Sequence, residues 1–395
     1  MLNMPYAGHM REIPSNPIFD LLPLLHAPGF ISLAAGVPAP ESFPISDLER
    51  IQSRLMKSLG EELMQYGSTE GFPPMRESTA VFLGRAGLGA SPQEIFLTTG
   101  GQQAIDLICK LMIEPGDRVL VESPTYSATL QILGSHLAAP VGVATDDDGV
   151  LIPDLEEKII QHSPKFVYLI PTYQNPTGRT MTPERRRAAA EVCAKYKVLL
   201  VEDDPYRDLS YFGAAPLPIK SYDLSGGVAY ITSFSKILCP GLRVGAVFAQ
   251  KDLIEHMCVA KQASDMQSSN LTQAVVDTFL RDGLIDGHVE KICGLYRERL
   301  DVMLEACETF LPDCVEYTRP RGGLFVFCTL PGGIDTEELL KDSVARGVAF
   351  TPGAQFYPRD SARKNMLRLN FSSSPPESIR AGMEKLGALI EERSK

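Results

Sequence analysis

Lys236 stands among residues that could hold a phosphate. It follows the apolar run 228–232, with Ser233 and Ser235 just before it and Arg243 seven residues later. An arginine offers a planar fork of donors to a phosphate dianion, and a lysine near other cations becomes a usable nucleophile. The group fits a phosphate carried by a molecule that the lysine can bond covalently. For the Ser-Lys pair alone, a solvated surface is the alternative.

Acidic, amide and aromatic side chains follow other apolar runs. Asp203 ends such a run, and Tyr206 comes three residues later, so both can reach one ligand from a turn. Acids at the end of a buried strand are costly unless they are paired, and a carboxylate beside a pyridine nitrogen keeps that nitrogen protonated. Asn175 can donate to a ring phenolate oxygen, and Tyr126 can stack on a flat ring. Plain turn chemistry and core packing are the alternatives for these two.

Gly101 and Gln102 join a predicted strand to a predicted helix. Glycine lets the backbone approach a ligand, and a helix start offers free N–H groups and the positive end of a dipole to an anion. The same junction also serves as an ordinary turn. Arg368 interrupts the apolar strand 366–370. A buried arginine requires a carboxylate partner, and none is adjacent in sequence, so a substrate carboxylate is predicted.

The elements that must position these residues alternate in a regular order. Apolar runs predicted as buried strands lie at 94–98, 118–122, 141–145, 166–170, 198–202, 228–232 and 244–249. Amphipathic stretches between them, such as 102–112 and 183–196, predict helices on both faces of a mostly parallel sheet. A helical stretch at 286–310 leads into further strands at 323–329, 348–350 and 366–370 and a closing helix from Pro376. In such a sheet, ligands bind at the carboxyl ends of the strands.

We therefore predict an α/β fold with two domains. A large domain, 46–285, contains the mostly parallel sheet between helices and the binding site. A smaller α+β domain occupies 286–395, and residues 1–45 form an N-terminal arm and part of the small domain.

Composition excludes several classes of protein. The 395 residues are 44% hydrophobic and 22% charged, as in ordinary globular enzymes. The net charge of −11 argues against nucleic acid or an anionic membrane surface as a partner. Eight cysteines without a C-x-x-C pair signal neither a metal site nor a disulfide framework. No signal peptide and no membrane span is evident, so a cytoplasmic location is predicted.

Taken together, the motifs resemble those of a known family. The set G-G-Q-Q, N-P-T-G, D-x-x-Y, S-x-S-K-x6-R and R-L-N-F resembles the fold type I pyridoxal-phosphate enzymes of the aspartate aminotransferase superfamily, class I/II. The chain is most similar to the 2-aminoadipate/kynurenine aminotransferase branch, in the segments that begin at Ala35, Gln65 and Tyr317. The resemblance runs from about residue 16 to the C-terminus. It implies pyridoxal 5'-phosphate as cofactor and amino-group transfer from an L-amino acid to a 2-oxo acid.

The resemblance also implies roles for individual residues. Lys236 would form the internal aldimine and, through a quinonoid, move the proton between the substrate Cα and the cofactor C4′. Asp203 would pair with the pyridinium nitrogen, Asn175 and Tyr206 would bond the phenolate oxygen, and Tyr126 would stack on the ring. The implied phosphate ligands are Gly101, Gln102, Ser233, Ser235 and Arg243.

The remaining implied roles concern the substrate and a second subunit. Arg368 would clamp the substrate α-carboxylate, with help from Asn175 and the backbone at Gly36. Tyr66 would reach the phosphate of the neighbouring subunit, which implies a homodimer with shared sites.

Two positions depart from the family pattern. Gly101 stands where relatives often have serine, so a hydroxyl donor is lost while the backbone N–H remains. Phe19, in P-I-F-D-L-L, stands where the aminoadipate-type pattern I-R-E-L-L has an arginine associated with acidic side chains. Since an apolar ring cannot bind a distal carboxylate, we expect poor use of aminoadipate and a preference for apolar, aromatic or otherwise unusual side chains. The alternative is that a neighbouring arginine substitutes or that the N-terminal arm sits differently.

Two alternative functions stay open from sequence. The same site could racemise, eliminate at Cβ or Cγ, or form carbon–carbon bonds in specialised biosynthesis. A ligand-sensing transcription regulator is the second alternative, because the same fold occurs behind a DNA-binding domain. The acidic charge and the few residues before the matching region argue against the regulator.

Overall fold

The computed structural model describes residues 6–13 and 29–394. The strands are β1 Ile31–Ser32, β2 Ile95–Thr98, β3 Arg118–Ser123, β4 Ala139–Asp146, β5 Gly149–Val150, β6 Phe166–Leu169, β7 Leu199–Asp203, β8 Val228–Ser233, β9 Gly245–Phe248, β10 Glu316–Tyr317, β11 Phe325–Thr329, β12 Val348–Ala349, β13 Thr351–Pro352 and β14 Met366–Asn370. The α-helices are α1 Gly8–Glu12, α2 Ile45–Leu63, α3 Pro73–Gly84, α4 Gly101–Met112, α5 Ser127–Ser135, α6 Ile152–His162, α7 Pro183–Lys195, α8 Lys251–Gln262, α9 Asn270–Arg281, α10 Leu284–Phe310, α11 Thr336–Ala345 and α12 Pro376–Ser394.

The central sheet has the strand order β2-β9-β8-β7-β6-β3-β4-β5. The neighbours from β8 to β4 pair in parallel, whereas β9 runs antiparallel to both β2 and β8. Strands β2, β6, β8 and β9 are buried along their whole length. Continuous burial follows from cover on both faces, which is why these strands are apolar without alternation. The predicted α/β fold with a mostly parallel sheet is confirmed.

Alternate strand residues face two separate apolar layers, as the two-residue period of a strand requires. On β3, Val119 and Val121 join the layer that includes residues of α4 and α8, while Leu120 joins the layer that includes residues of α6 and α7. The sheet is therefore packed between helices on both faces. No helix in 6–13 or 29–394 is long and apolar enough to cross a membrane.

A second sheet, β10-β11-β14-β13, is antiparallel and belongs to the smaller α+β part of the chain. Of the segment predicted as a strand at 348–350, residues 348–349 form β12, and a separate strand, β13, begins at Thr351. β12 pairs with β1, with Ile31 opposite Val348, while β13 pairs with β14. β1 and β12 form a separate two-stranded sheet, and the oxygen of Leu33, just after β1, accepts a 2.8 Å hydrogen bond from the N–H of Asn370 in β14. The domain boundaries at 45 and 285 stay a prediction.

The two sheets place the chemically interesting residues near one another. β7 ends at Asp203 and β8 ends at Ser233, on the edge where the carboxyl ends of parallel strands meet. On β14, Arg368 lies opposite Phe327 of β11 and Thr351 of β13.

Candidate active site

Lys236 lies just beyond the end of β8. Its Nζ donates a 2.8 Å hydrogen bond to the backbone oxygen of Gly36. Burial, and then the positive charges of Arg368 and Arg243, lower the pKa of this amine to about 8. A substantial fraction of the side chain is consequently neutral near physiological pH, and the neutral amine is the nucleophilic form.

Asp203 is buried at the end of β7. Its Oδ2 accepts a 2.6 Å hydrogen bond from the hydroxyl of Tyr168. Burial raises the pKa of Asp203 to about 7, and Asp204 raises it too, whereas the bond from Tyr168 opposes the shift. A carboxyl with this pKa becomes reliably ionised once a positive charge lies beside it. Sequence reasoning missed Tyr168, because its hydroxyl is hidden within the apolar strand β6.

Gly101, the first residue of α4, lies between Asp203 and the end of β8. A methyl group on Gly101 would be 3.8 Å from Ser233 Cβ and 4.0 Å from Asp203 Oδ1. The helix start, with its free N–H groups, is thus adjacent to the carboxylate and to a serine predicted as a phosphate ligand.

Asn175 connects two other predicted residues. Its Oδ1 accepts a 2.7 Å hydrogen bond from Arg368 Nη1, and its Nδ2 lies 3.5 Å from the Tyr206 hydroxyl oxygen. Burial is the main cause that raises the pKa of Tyr206, so its phenol stays protonated and able to donate. The amide of Asn175 therefore fixes the guanidinium and the phenol relative to each other.

Arg368 is buried without a carboxylate. Its Nη2 donates to the backbone oxygen of Ala34 at 2.8 Å and to Thr351 Oγ1 at 3.3 Å. The guanidinium carbon lies 4.2 Å from the ring centre of Phe325 and 5.0 Å from that of Phe356. Burial lowers its pKa to about 10. Within the described ranges no acidic side chain pairs with Arg368, and its buried Nε has no hydrogen-bond partner.

This environment fits an anionic ligand at Arg368. Buried charges are normally paired, and an uncompensated guanidinium is destabilising. Sequence reasoning missed Phe325, although its ring contacts two predicted residues. It packs against the guanidinium of Arg368, and a methyl group on Gly36 would lie 2.6 Å from its Cζ. The aromatic ring and the glycine thus delimit the space beside the guanidinium.

Arg243 forms the more exposed end of the site. Its Nη2 donates a 3.0 Å hydrogen bond to the backbone oxygen of Thr99. A methyl group on Gly100, where φ is +81°, would lie 2.5 Å from that same nitrogen, so only glycine admits the guanidinium here. Nearby, the N–H of Ser235 donates to Ser233 Oγ at 3.2 Å. Cations, hydroxyls and a helix start gathered in this way suit a phosphate.

A hydrogen-bonded pair that sequence reasoning missed supports the loop before α4. Gln103 Oε1 accepts from the Thr99 N–H at 2.8 Å and from Lys261 Nζ at 2.6 Å. The Lys261 side chain is fully buried and pairs with Asp265 at 2.8 Å. Nothing in the sequence distinguishes Lys261 from the solvated lysines of an amphipathic helix.

The other predicted residues are less closely connected. Tyr126, half-buried after β3, has a pKa raised mainly by burial and then by Asp203, with Arg368 acting in the opposite direction. Gln102 is exposed on the first turn of α4. Tyr66 is 76% exposed on the surface. Phe19 lies outside the described residues.

A groove of about 1070 Å³ lies to one side of this cluster. Its lining includes Pro124, Thr177 and Arg179 of the large sheet's loops and Phe327 and Arg363 of the smaller part. None of the predicted site residues that the structure describes lines it. Among 6–13 and 29–394, no group of three or more His, Cys, Asp or Glu side chains could hold a metal ion.

The comparison with known families agrees with this geometry. The pattern of the family "Aminotransferase class I and II" matches residues 28–386, and the chain belongs to that family. It is 40% identical over 387 residues to an aromatic-amino-acid aminotransferase of Thermococcus litoralis, covering 96% of this chain and 93% of the relative. Some other relatives are named as helix-turn-helix transcriptional regulators.

Solved structures match over nearly the whole chain. The kynurenine aminotransferase of Pyrococcus horikoshii, in complex with PMP, is 37% identical, has a TM-score of 0.94 and covers 99% of this chain and 98% of its own. The α-aminoadipate aminotransferase LysN of Thermus thermophilus, complexed with N-(5'-phosphopyridoxyl)-L-leucine, is 33% identical, with a TM-score of 0.91 and coverage of 98% and 97%.

These matches confirm the predicted branch, fold and cofactor. The protein is a pyridoxal-phosphate-dependent aminotransferase. The comparisons do not favour racemisation, elimination or carbon–carbon bond formation. The residues present also fit the cofactor, since donors that suit a phosphate, a buried carboxylate and an arginine without an acidic partner among the described residues accompany a lysine of lowered pKa.

Proposed function

We propose that Lys236 bonds pyridoxal phosphate and moves the protons of amino-group transfer. One arrangement carries the proposal: Lys236, whose pKa is lowered to about 8, donates to the oxygen of Gly36, and Gly36 also lies beside the buried Arg368, for which the described residues provide no carboxylate partner. Such an arrangement suits a molecule that carries an amino group and a carboxylate on the same carbon atom. Every α-amino acid has this arrangement.

The chain's own residues then have separate tasks. Pyridoxal phosphate supplies an aldehyde that accepts the amino group and a ring that withdraws electrons from the substrate Cα. Asp203 favours a positive charge on the ring nitrogen, while Asn175 and Tyr206 donate to the phenolate oxygen. Tyr126 stacks on the ring. The phosphate ligands in this proposal are Gly101, Gln102, Ser233, Ser235 and Arg243.

Substrate binding and proton transfer complete the proposal. Arg368 binds the α-carboxylate through its free donor edge, with Asn175 and the Gly36 backbone beside it, which orients the Cα hydrogen. Lys236 Nζ, as the neutral amine, takes that proton and later returns it. Water releases the 2-oxo acid, and a second 2-oxo acid receives the amino group by the reverse steps.

Replacement of the lysine tests this assignment. Lys236→Ala is expected to lose amino-group transfer entirely, because no other amine in the site replaces it, while the phosphate contacts preserve some cofactor binding. Turnover is measured by absorbance, and borohydride trapping followed by peptide mapping locates the bonded lysine. Persistent activity of the variant, or a trapped adduct elsewhere than 236, would remove Lys236 from this role.

We also propose that the amino donors are L-amino acids with apolar, aromatic or otherwise unusual side chains. Phe19 supports this, because a phenyl ring offers no charge to a distal carboxylate. The names of two relatives, for aromatic amino acids and for kynurenine, agree with it. Half-reactions with a panel of amino acids form the test, and a dominant response to glutamate or aminoadipate would overturn the preference.

A homodimer with shared sites is proposed as the working assembly. Tyr66, largely exposed, projects from a turn that is held by a hydrogen bond from the Gly67 N–H to Gln267 Oε1. Exposed aromatic side chains on ordered turns are common interface anchors. Light scattering at catalytic concentrations should give the mass of two chains. A monomer with full activity would contradict the proposal.

A cytoplasmic location is proposed as well. All eight cysteines are free thiols, and five of them are buried. Unpaired cysteines agree with a reducing compartment.

A further inference from the structure

Tyr168 is a buried tyrosine whose hydroxyl donates a hydrogen bond to a carboxylate. Its side chain is fully buried in β6, within the apolar layer that also contains Val121 and Val201. The hydroxyl donates its 2.6 Å hydrogen bond to Asp203 Oδ2. A hydroxyl placed in an apolar layer needs a partner, and the partner here is the carboxylate at the end of the next strand.

The two oxygens of Asp203 have different surroundings. Oδ2 is bonded to Tyr168 from within the protein. Oδ1 lies 4.0 Å from the position that a methyl group on Gly101 would occupy, at the start of α4. One oxygen is thus fixed by the core, and the other faces the space in which the helix start and Ser233 lie.

The donor to Asp203 is neutral. Burial raises the pKa of the Tyr168 phenol well above its ordinary range, so the group stays protonated and keeps the hydrogen that it donates to Asp203. No lysine, arginine or histidine of the described residues pairs with Asp203. A cation in this place would neutralise the carboxylate, whereas a phenol orients it and leaves its charge available.

We propose that Tyr168 is a positioning residue that holds Asp203 by Oδ2, so that Oδ1 and the full negative charge are directed at the ring nitrogen of the cofactor. The inference rests on the role proposed above for Asp203. Tyr168 itself touches neither cofactor nor substrate. Loss of its hydroxyl leaves the carboxylate free to rotate and favours its protonated form.

A matched control is available on β8, the strand on the other side of β7. Tyr230 in β8 is equally buried, and its hydroxyl donates to Asp204 Oδ2 at 3.2 Å. Asp204 is held independently by Arg207 at 2.8 Å. Tyr168→Phe and Tyr230→Phe therefore delete the same atom next to adjacent aspartates, only one of which is proposed to face the cofactor.

The first readout uses the protein without cofactor and does not depend on turnover. Isotope-edited infrared spectra of the Asp203 carboxyl give the pH midpoint of its protonation. Asp203 is faced by Tyr168, Asp204, Glu122, Tyr126 and Tyr206. The Tyr168→Phe variant removes only the Tyr168 hydroxyl and leaves the other four groups in place. The midpoint should rise by about one pH unit in Tyr168→Phe and stay within about 0.3 unit in Tyr230→Phe.

The second readout uses the enzyme with cofactor. The rate of the first half-reaction at saturating amino acid should fall about 10–100-fold in Tyr168→Phe, with little change in the half-saturating concentration. Tyr230→Phe should stay within about threefold. Incorporation of 3-fluorotyrosine at 168 keeps the size of the side chain nearly equal and makes its hydroxyl a more acidic donor. The pH midpoint of Asp203 protonation should then shift downward. This second variant keeps the test valid if Tyr168→Phe does not fold.

The outcomes separate this inference from the assigned chemistry. Unchanged midpoints in both Tyr168 variants would overturn the positioning role. Equal rate losses in Tyr168→Phe and Tyr230→Phe would do the same, because they would indicate a general packing defect. Shifted midpoints in the Tyr168 variants, together with undiminished amino-group transfer in the separate Lys236→Ala variant, would support the Tyr168–Asp203 bond and contradict the proposed reaction.

Discussion

The two ends of the site are built in opposite ways. Around Asp203 the carboxylate, its tyrosine donor and the neighbouring acids are buried and hydrogen-bonded. Around Arg243 the guanidinium is exposed, Gln102 points to solvent, and a residue of a second subunit is proposed to complete the set. A lone carboxylate must be oriented before the ring arrives, because reorienting it in a low-dielectric interior is costly. A phosphate dianion brings its own charge and can be met by exposed donors.

Removing the charge at the buried end of the site should have the largest effect on the rate of amino-group transfer. Asp203→Asn is expected to lower the rate of the half-reaction about 10²–10³-fold, because an amide cannot favour a protonated ring nitrogen. Cofactor affinity should change far less. Stopped-flow absorbance gives the rate, and Asp203→Glu, which keeps the charge, is the control. A loss confined to affinity would reverse the roles assigned to the two ends.

Removing the charge at the exposed end should act on affinity. Arg243→Gln is expected to weaken cofactor binding about 10–100-fold, the usual effect of losing a charge-assisted hydrogen bond, with a half-reaction rate near wild type at saturating cofactor. Equilibrium dialysis measures the affinity, and Arg243→Lys should recover part of it. A large loss of the half-reaction rate at saturating cofactor would show that Arg243 contributes to the reaction as well as to cofactor binding.

The same variant carries a pH prediction. Arg243 is one of the cations that lower the pKa of Lys236 to about 8, so its loss should raise that pKa. Covalent capture of pyridoxal, which has no phosphate, depends on the neutral amine and should increase as pH rises through about 8 in the wild type. In Arg243→Gln the increase should move to higher pH. An unmoved midpoint would show that burial and Arg368, without Arg243, set the lysine pKa.

The smallest expected effect concerns the serine that relatives often have at 101. Gly101 does not have a positive φ, and a methyl group there would lie 3.6 Å from Ile231 Cγ2, an ordinary contact. Gly101→Ser is therefore expected to tighten cofactor binding about two- to tenfold through one added hydroxyl donor. Gly101→Ala fills the same space without the donor and should bind as the wild type does. Equal tightening in both variants would assign the gain to helix stability instead.

Much of the fold was predictable because strand ends are marked by residue type. Asp203 and Ser233 stand where a continuous apolar run stops, and Arg368 interrupts one, so each is conspicuous in the sequence. Tyr168 is not, since a tyrosine within a buried strand usually reports only packing. The pairing of β12 with β1 also escaped prediction, because it joins residues more than three hundred positions apart and leaves no local pattern.

The position of Arg368 within β14 has a consequence for how the chain tolerates changes in length. Neighbouring residues of a strand point to opposite faces, so one inserted residue inside 366–370 would exchange the guanidinium for a leucine and turn the charge away from Asn175. An extra residue in the exposed connection at 359–364 would leave that facing intact. Length is thus constrained far more strictly inside the strand than a few residues upstream, whatever the chemical nature of the added residue.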